Sequence, residues 1–481
     1  MKRHYIISII MLLASVVASN AQQNLRTAYF LDGYTYAYKM NPAFQGERGF
    51  FSVPVLGKVS LGLESNLGLS TFVKISDGKL ITFLHPDYTD AEFLNGMRHG
   101  NMMFTNVDMP VIALGFRTGK AYHTIDLSVR ADAAANLTKD LLHFVKVGSS
   151  DGTDEWDISD FGARAEARVE LAYGYSRRFG EKVSVGARVK ALVGVAKADV
   201  GMETMNLKLN GEEWAVNAKG NAGFAGILDV KTQGQTGSAT DPSQKDLIDW
   251  NSMNILPTDE LMEYVNSPSL GFAADLGVSI DLLEYLTVSA SVLDLGFIGW
   301  KNVVNATAPE TSWSFKGLDN LSLEGDADIA GEFETLGDEM LGAINFKKNN
   351  DGGFMNSLSA TAHLGVEARL PFYKRLSVGA LGTHRFAGAY SWTEGRFSLN
   401  WALLRIFSLS GSYAISNMGN SFGGAVNIHM PGFTLFAGLD SFMPLTNVTP
   451  MYIPIDELNT NLSFGLNFAF GKYNGRFPKN K

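Results

Sequence analysis

Between Arg164 and Asp199 the chain alternates between two kinds of side chain with a strictness that few folds can use. Ala165, Ala167, Val169, Leu171, Tyr173 and Tyr175 share one parity; Glu166, Arg168, Glu170, Ala172, Gly174 and Ser176 share the other. A period of two marks a β-strand, whose successive side chains point to opposite faces. After the polar turn Arg177 to Lys182 the pattern resumes, with Val183, Val185, Ala187, Val189, Ala191, Val193 and Val195 set against Ser184, Gly186, Arg188, Lys190 and Gly194. The two runs form a hairpin. About ten residues at roughly 3.3 Å each, tilted near 45°, rise roughly 23 Å, the height of the apolar band of a membrane barrel. The apolar face is small and aliphatic, with tyrosines toward the turn, which suits lipid outside and water inside better than a packed core.

The N-terminus supports export. Met1-Lys2-Arg3-His4 precedes an apolar run from Tyr5 to Ala18, and Ser19-Asn20-Ala21 stands before Gln22. This pattern predicts a secretory signal peptide over residues 1–21. Beyond it no apolar run approaches eighteen residues, so a membrane crossing must use strands. The chain has no cysteine, which excludes disulfides and a lipidated N-terminal cysteine. Loss of the signal takes Lys2 and Arg3 away and moves the net charge from −9 to −11, which argues against a nucleic-acid partner.

Read in order, residues 22–55 form an N-terminal arm, with Tyr34 to Phe44 dense in aromatics around a turn at Asn41-Pro42. Strands follow at Leu56 to Leu69, Met109 to Arg117 and His123 to Ala134, then the hairpin above, then Leu270 to Asp281 and Leu286 to Gly296. The later ones are Ser359 to Leu370, Leu376 to Phe386, Gly395 to Leu404, Phe407 to Ser416, Gly423 to His429, Phe433 to Phe442 and Asn461 to Phe470. That makes fourteen. Short turns alternate with long loops, as in barrels with turns at the periplasmic rim, loops outside and both termini in the periplasm. Helices are expected at Asp90 to Met97, after Thr258 as a cap, and at Glu332 to Ala343. The low-complexity run Lys231 to Asp241 is expected to be mobile and exposed. Several strands open alike after a short turn: Lys182-Val-Ser-Val-Gly-Ala, Tyr285-Leu-Thr-Val-Ser-Ala, Arg375-Leu-Ser-Val-Gly-Ala and Ile406-Phe-Ser-Leu-Ser-Gly.

Asn41-Pro42-Ala43-Phe44 resembles the Asn-Pro-Ala element of the FadL superfamily of fatty-acid transporters and of the PorV- and PorP-like barrels of Bacteroidota type IX secretion. Phe50-Phe51-Ser52-Val53-Pro54, Ser60-Leu61-Gly62 and Asn66 look like an uncharacterised Bacteroidota family of exported barrels related to these. The direct likeness covers roughly residues 30–70. It implies a fourteen-stranded barrel with an N-terminal plug.

Motifs of chemistry are scarce. The acids Asp151, Asp154, Glu155, Asp157 and Asp160 lack the spacing of a calcium loop, as do Asp326 and Asp328. The eight histidines make no metal-binding pair. His384 and Ser391 have only their spacing to suggest a hydrolytic site. The expectation is therefore an outer-membrane protein of a Gram-negative bacterium, with no catalytic or metal site and no cofactor. Its parts are a signal peptide (1–21), a plug (22–55), an all-β barrel (56–471) and a periplasmic tail (472–481). The residues to watch are the plug turn Asn41, Pro42, Ala43 and Phe44 and the lumen charge ladder Glu166, Arg168, Glu170, Arg188 and Lys190. Membrane lipid is the expected surroundings. The leading function is passage of a small, hydrophobic molecule through a plugged channel; the alternative is a closed adaptor barrel with a surface or secretion protein partner.

Overall fold

Strands whose two faces meet different solvents are stable only if every backbone group finds a partner, and a closed barrel supplies that by removing sheet edges. The computed structural model shows this closure. It describes residues 24–475 apart from 55, 77–78, 84, 99, 148–154, 211–212, 316–344, 350–354 and 443–459. The expected signal peptide, the helix Glu332 to Ala343, four of the acids (Asp151, Asp154, Asp326 and Asp328) and residues 476–481 of the tail lie outside the described residues.

Fourteen antiparallel strands form the wall: β1 (Gly49–Ser52 and Val59–Ser65), β2 (Gly100–Thr118), β3 (Ala121–Thr138), β4 (Gly162–Phe179), β5 (Val183–Asn210), β6 (Ser269–Leu283) and β7 (Leu286–Gly299). Then come β8 (Met355–Ser357 and Thr361–Leu370), β9 (Tyr373–Arg385), β10 (Trp392–Leu404), β11 (Phe407–Ser416), β12 (Gly419–Met430), β13 (Gly432–Phe442) and β14 (Thr460–Phe470). Each pairs with the next, and β14 returns to β1 through Phe51↔Phe468 and Val59↔Phe464. The parity read from the sequence is the parity of the wall. Leu171, Tyr173, Val185 and Val189 are exposed on the outside, whereas Arg168, Glu170, Arg188 and Lys190 are buried inside. An exposed apolar band around a closed barrel is a lipid-facing surface, so the chain is a transmembrane β-barrel.

Three features differ from expectation. First, β1 starts at Gly49, inside the segment read as arm, and breaks over residues 53–58. Pro54 has no N–H for a ladder, and across the break β14 advances only from Phe468 to Phe464 while β1 advances from Phe51 to Val59. The excursion turns Lys58 inward, where it is fully buried.

Second, β5 runs for 28 residues, far beyond the 9–11 or so of a bilayer crossing. Its outer part, Ala196 to Asn210, pairs with Glu213–Gly226, which pairs with Val304–Phe315 and, through that strand, Lys347–Asn349; Glu155–Asp157 lies on the other edge. Two segments expected to be loops therefore carry an extension of the barrel sheet at the long-loop end. It covers a core that includes Phe83, Phe93, Leu142, Trp156, Met205 and Phe224.

Third, the run Lys231 to Asp241 is locally organised. Thr232 and Gln235 form a capping box around a helical turn at Gln233–Thr236, and the hydroxyls of Thr236 and Ser238 donate to Asp249 at 2.6 and 3.0 Å. Hydroxyls and amides that read as a solvated linker instead satisfy one another. The helix Asp90–Asn95 starts at a Thr89 capping box, and Thr258–Asn266 takes Pro257 rather than Thr258 as its cap.

Candidate functional site: the lumen and residues 24–48

Residues 24–48 enter the lumen and fold against the inner wall through two short 3-10 turns, Arg26–Ala28 and Ala37–Lys39. Their aromatic rings pack on one another and on the wall. Tyr29 meets Phe30 at 4.8 Å and Phe44 at 5.1 Å between centroids, and Tyr34 sits edge-on to Phe436 at 5.1 Å. Tyr36 and Tyr38 both contact Phe50. Edge-to-face geometry is the arrangement that ring quadrupoles favour.

The wall accommodates this segment with small inward residues, and here the repeated strand opening acquires a meaning. Its fifth position is Gly186, Ser289, Gly379 or Ser410, and all four touch the segment. A Cβ on Gly186 would meet the Pro42 carbonyl oxygen at 2.0 Å, and one on Gly379 would meet the Phe30 ring at 2.4 Å. Ser289 Oγ shares a hydrogen bond with the Tyr29 hydroxyl at 3.1 Å, and Ser410 Oγ donates to the Thr27 carbonyl at 2.8 Å. The repeat is a row of seats.

The turn at Asn41-Pro42 occupies the tightest seat. Asn41 Oδ1 accepts from the Ala43 N–H at 2.9 Å, closing an Asx turn that proline's fixed φ supports. Its Nδ2 donates to the carbonyls of Val278 and Ala290, both at 3.2 Å, which are register partners across β6 and β7. Asn41, Pro42 and Ala43 are buried and Phe44 is half-buried. Beneath the turn lie Gly186 and Gly277, where a Cβ on Gly277 would meet Asn41 Oδ1 at 2.2 Å.

Two cations fasten the segment electrostatically. Arg26 reaches Glu64 at 2.6 Å, Glu394 at 3.3 Å and Asp440 at 3.6 Å, and stacks over Trp392 at 4.8 Å. The backbone N–H groups of Arg26 and Thr27 donate to the two oxygens of Asp440 at 2.7 and 2.6 Å. Lys39 Nζ donates to Asp108 and Ser128, each at 3.0 Å, and lies 3.4 Å from Asp126. From Lys39 a chain of alternating charge crosses the lumen. Asp126 pairs with Arg188 at 2.7 Å, Arg188 with Asp275 at 2.9 Å, and Asp275 with Lys190 at 2.7 Å. Lys190 meets Asp294, Asp294 meets Arg130 at 3.1 Å, and Arg130 meets Glu170 at 3.1 Å. Arg168 continues from Glu170 at 3.0 Å to Asp132 at 2.9 Å and Glu166 at 3.1 Å. Each buried charge is neutralised by neighbours of opposite sign, the condition under which such charges persist.

The expected ladder of Glu166, Arg168, Glu170, Arg188 and Lys190 is thus part of a larger network, and the Asn41-Pro42 turn sits two residues from Arg188 on β5. Arg188 also stacks over the Tyr38 ring at 5.2 Å. Sequence reading missed Arg26, Lys39, Asp108, Asp126, Asp275, Asp294 and Asp440. The five aspartates were signalled by charge at inward parity inside otherwise apolar strands, as in Asp126 between Ile125 and Leu127, whereas Arg26 and Lys39 lie in the turns of residues 24–48 and carried no such signal. His384 bonds Thr393 and Ser391 bonds Gly388, so these two do not form a hydrolytic pair.

Two cavities frame the segment. One of about 20 Å³, room for roughly one water molecule, lies in the charged layer among Lys39, Asp108, Arg130, Glu170, Arg188, Lys190 and Asp294. The other, of about 470 Å³, opens at the short-turn mouth between Tyr29, Phe30, Phe44 and Phe50 of the chain's start and the rim residues Arg117, Arg178, Glu367 and Arg369. Among the described residues no group of three or more His, Asp or Glu is arranged to hold a metal ion.

Residues 42–440 match the model described as a family of unknown function (DUF5723), and the chain belongs to that family. Among curated proteins no relative matches. Similar solved structures include the toluene transporter TbuX of Ralstonia pickettii (11% identity, 93% of this chain and 100% of that one, TM-score 0.41). The toluene transporter TodX of Pseudomonas putida follows at 8% identity, 94% and 95% coverage and TM-score 0.39. A FadL homologue of Pseudomonas aeruginosa shows 11% identity, 94% and 100% coverage and TM-score 0.40.

Proposed function

We propose that this member of DUF5723 is an outer-membrane channel plugged by its own residues 24–48, which passes a small molecule only when that segment shifts. The observation that carries the reading is Lys39, which joins the segment to the wall's charge network while the cavity beside it has room for about one water. A segment held by discrete turns and ion pairs rather than by the barrel ladder has a second position open to it, because its release breaks no strand pairing. The aromatic rings around the mouth cavity favour a hydrophobic or amphiphilic cargo. The predicted signal peptide and periplasmic short turns set the direction: the segment closes the periplasmic half.

A second reading is a permanently closed adaptor barrel of a surface or secretion assembly, and the extensive ion pairing of the charge layer favours it. Asn41→Ala with Pro42→Gly separates the two. In the gated channel, the double variant assembles and swells liposomes in small-solute gradients faster than the parent does. In the adaptor, its melting temperature falls while swelling stays at the parent's level.

A further inference from the structure

The outer wall carries a feature unrelated to the lumen. Most lipid-facing positions of β4 to β6 hold large side chains such as Leu171, Tyr173, Val189, Phe272 and Leu276. On β10 to β13 the pattern reverses at one level: Leu399, Gly411, Gly424 and Leu439 stand side by side in register, so two paired glycines lie between two leucines. A Cβ on either glycine would meet nothing within 4 Å. Toward the long loops the depression is walled by Phe397, Tyr413 and Phe422, the last two with ring centroids 5.0 Å apart. Toward the short turns it is walled by Trp401, Leu409 and Val426. The result is a pair of contiguous, shallow apolar depressions of about 660 and 580 Å³, open to the surroundings, which share Leu399 and Gly411.

We infer that this groove is a binding site for one acyl chain of a membrane phospholipid. Its lining is hydrocarbon, it is elongated across the strands, and it is continuous with the lipid-facing surface of the barrel. In a bilayer such a chain gains no hydrophobic free energy by entering, because the tails around it are equally apolar; what it gains is close dispersion contact on several sides instead of one. The glycines supply the depth and the aromatic and leucine walls supply the contact. At the short-turn end the Trp401 indole N–H donates to the Tyr373 hydroxyl at 3.2 Å, which fixes that wall beside the rim. The inference rests on the membrane placement of the barrel and is independent of whether the lumen conducts.

The test is phospholipid retention after extraction of the full-length protein from phosphatidylethanolamine vesicles and exhaustive detergent exchange, read by native mass spectrometry. The parent should keep a bound phospholipid. Gly411→Leu and Gly424→Leu should reduce retention about fivefold or more by filling the groove. Gly395→Leu, which alters another open glycine outside the groove, should leave retention unchanged. Should a leucine variant fail to assemble, Gly411→Ala replaces it and should give a smaller loss in the same direction. Equal retention by parent and groove variants, absence of bound lipid from the parent, or a parent dimer that the groove variants abolish would each overturn the assignment, the last in favour of a second copy of the chain.

Discussion

Gly186 and Gly277 face each other as register partners across β5 and β6, and the Asn41-Pro42 turn rests on both. Neither position has room for a methyl group, since the added Cβ would lie 2.0 Å from the Pro42 oxygen or 2.2 Å from Asn41 Oδ1. Gly186→Val should therefore lift the turn off the wall while leaving the strand itself sound. We expect a loss of about 1–3 kcal/mol, measured as a lower urea midpoint of the detergent-folded barrel, together with new tryptic cleavage after Lys39. Unchanged protection of Lys39 would show that the wall yields instead of the segment.

The two cationic fasteners should differ in weight. Arg26→Met takes a guanidinium from three carboxylates, Glu64, Glu394 and Asp440, of which the last two keep Arg396, whereas Lys39→Met takes an ammonium from two, Asp108 and Asp126, which keep Lys58 and Arg188. Removing one member of a buried ion pair costs roughly 3–5 kcal/mol. Arg26→Met should fall at or above the top of that range and Lys39→Met at its lower end, in unfolding titrations under one detergent condition. The reverse order would mean that the central layer, not the Asp440 cluster, anchors the segment.

Val189 is 46% exposed on the lipid face of β5. Arginine there should cost about 2–4 kcal/mol, the penalty for a charge at mid-bilayer. Heat-modifiable migration on gels reads it directly: Val189→Arg should assemble poorly or melt earlier. A variant as heat-resistant as the parent would show that this face does not meet lipid.

At the long-loop end, stability has a local pH dependence. The Glu92 carboxylate accepts from Lys74 at 2.8 Å and from the Thr89 N–H at 2.9 Å, and these bonds pull its pKa down to about 2. A carboxyl held lower when folded than when unfolded contributes stability above its unfolded pKa, and loses it as pH falls through the folded value. The protection factors of amides across Asp90–Asn95 should thus be pH-independent above roughly pH 5 and fall toward pH 2. In Glu92→Gln that transition should vanish; its persistence would assign it to another group.

How much of this was legible depended on where the two-residue period holds. It holds wherever a strand has lipid on one side and the lumen on the other, so β3, β4, β6 and β9 to β14 could be read within a few residues. Beyond the membrane the period continues, with Ala218, Gly220, Ala222 and Phe224 buried and Lys219 and Asn221 exposed, but the small residues on its inner face blur the contrast, and those strands read as loop. The pairing of Gly186 with Gly277 was invisible because it needs the register between strands separated by the whole outer hairpin. The repeated Val-Ser-Val-Gly opening was plain in the sequence, yet its reason lay in the residues it receives, Thr27, Tyr29, Phe30 and Pro42, which are far away in the chain.

The claim that residues 24–48 close the passage is tested most directly by pinning them. The chain has no cysteine, so an engineered disulfide is the only one it can form. Thr35 and Thr434, whose hydroxyls lie 2.9 Å apart, are the pair to replace. Thr35→Cys with Thr434→Cys, placed in the Asn41→Ala and Pro42→Gly background, should conduct ions in planar bilayers when reduced and fall silent when oxidised. Silence in both states, or equal conductance in both, would contradict the account.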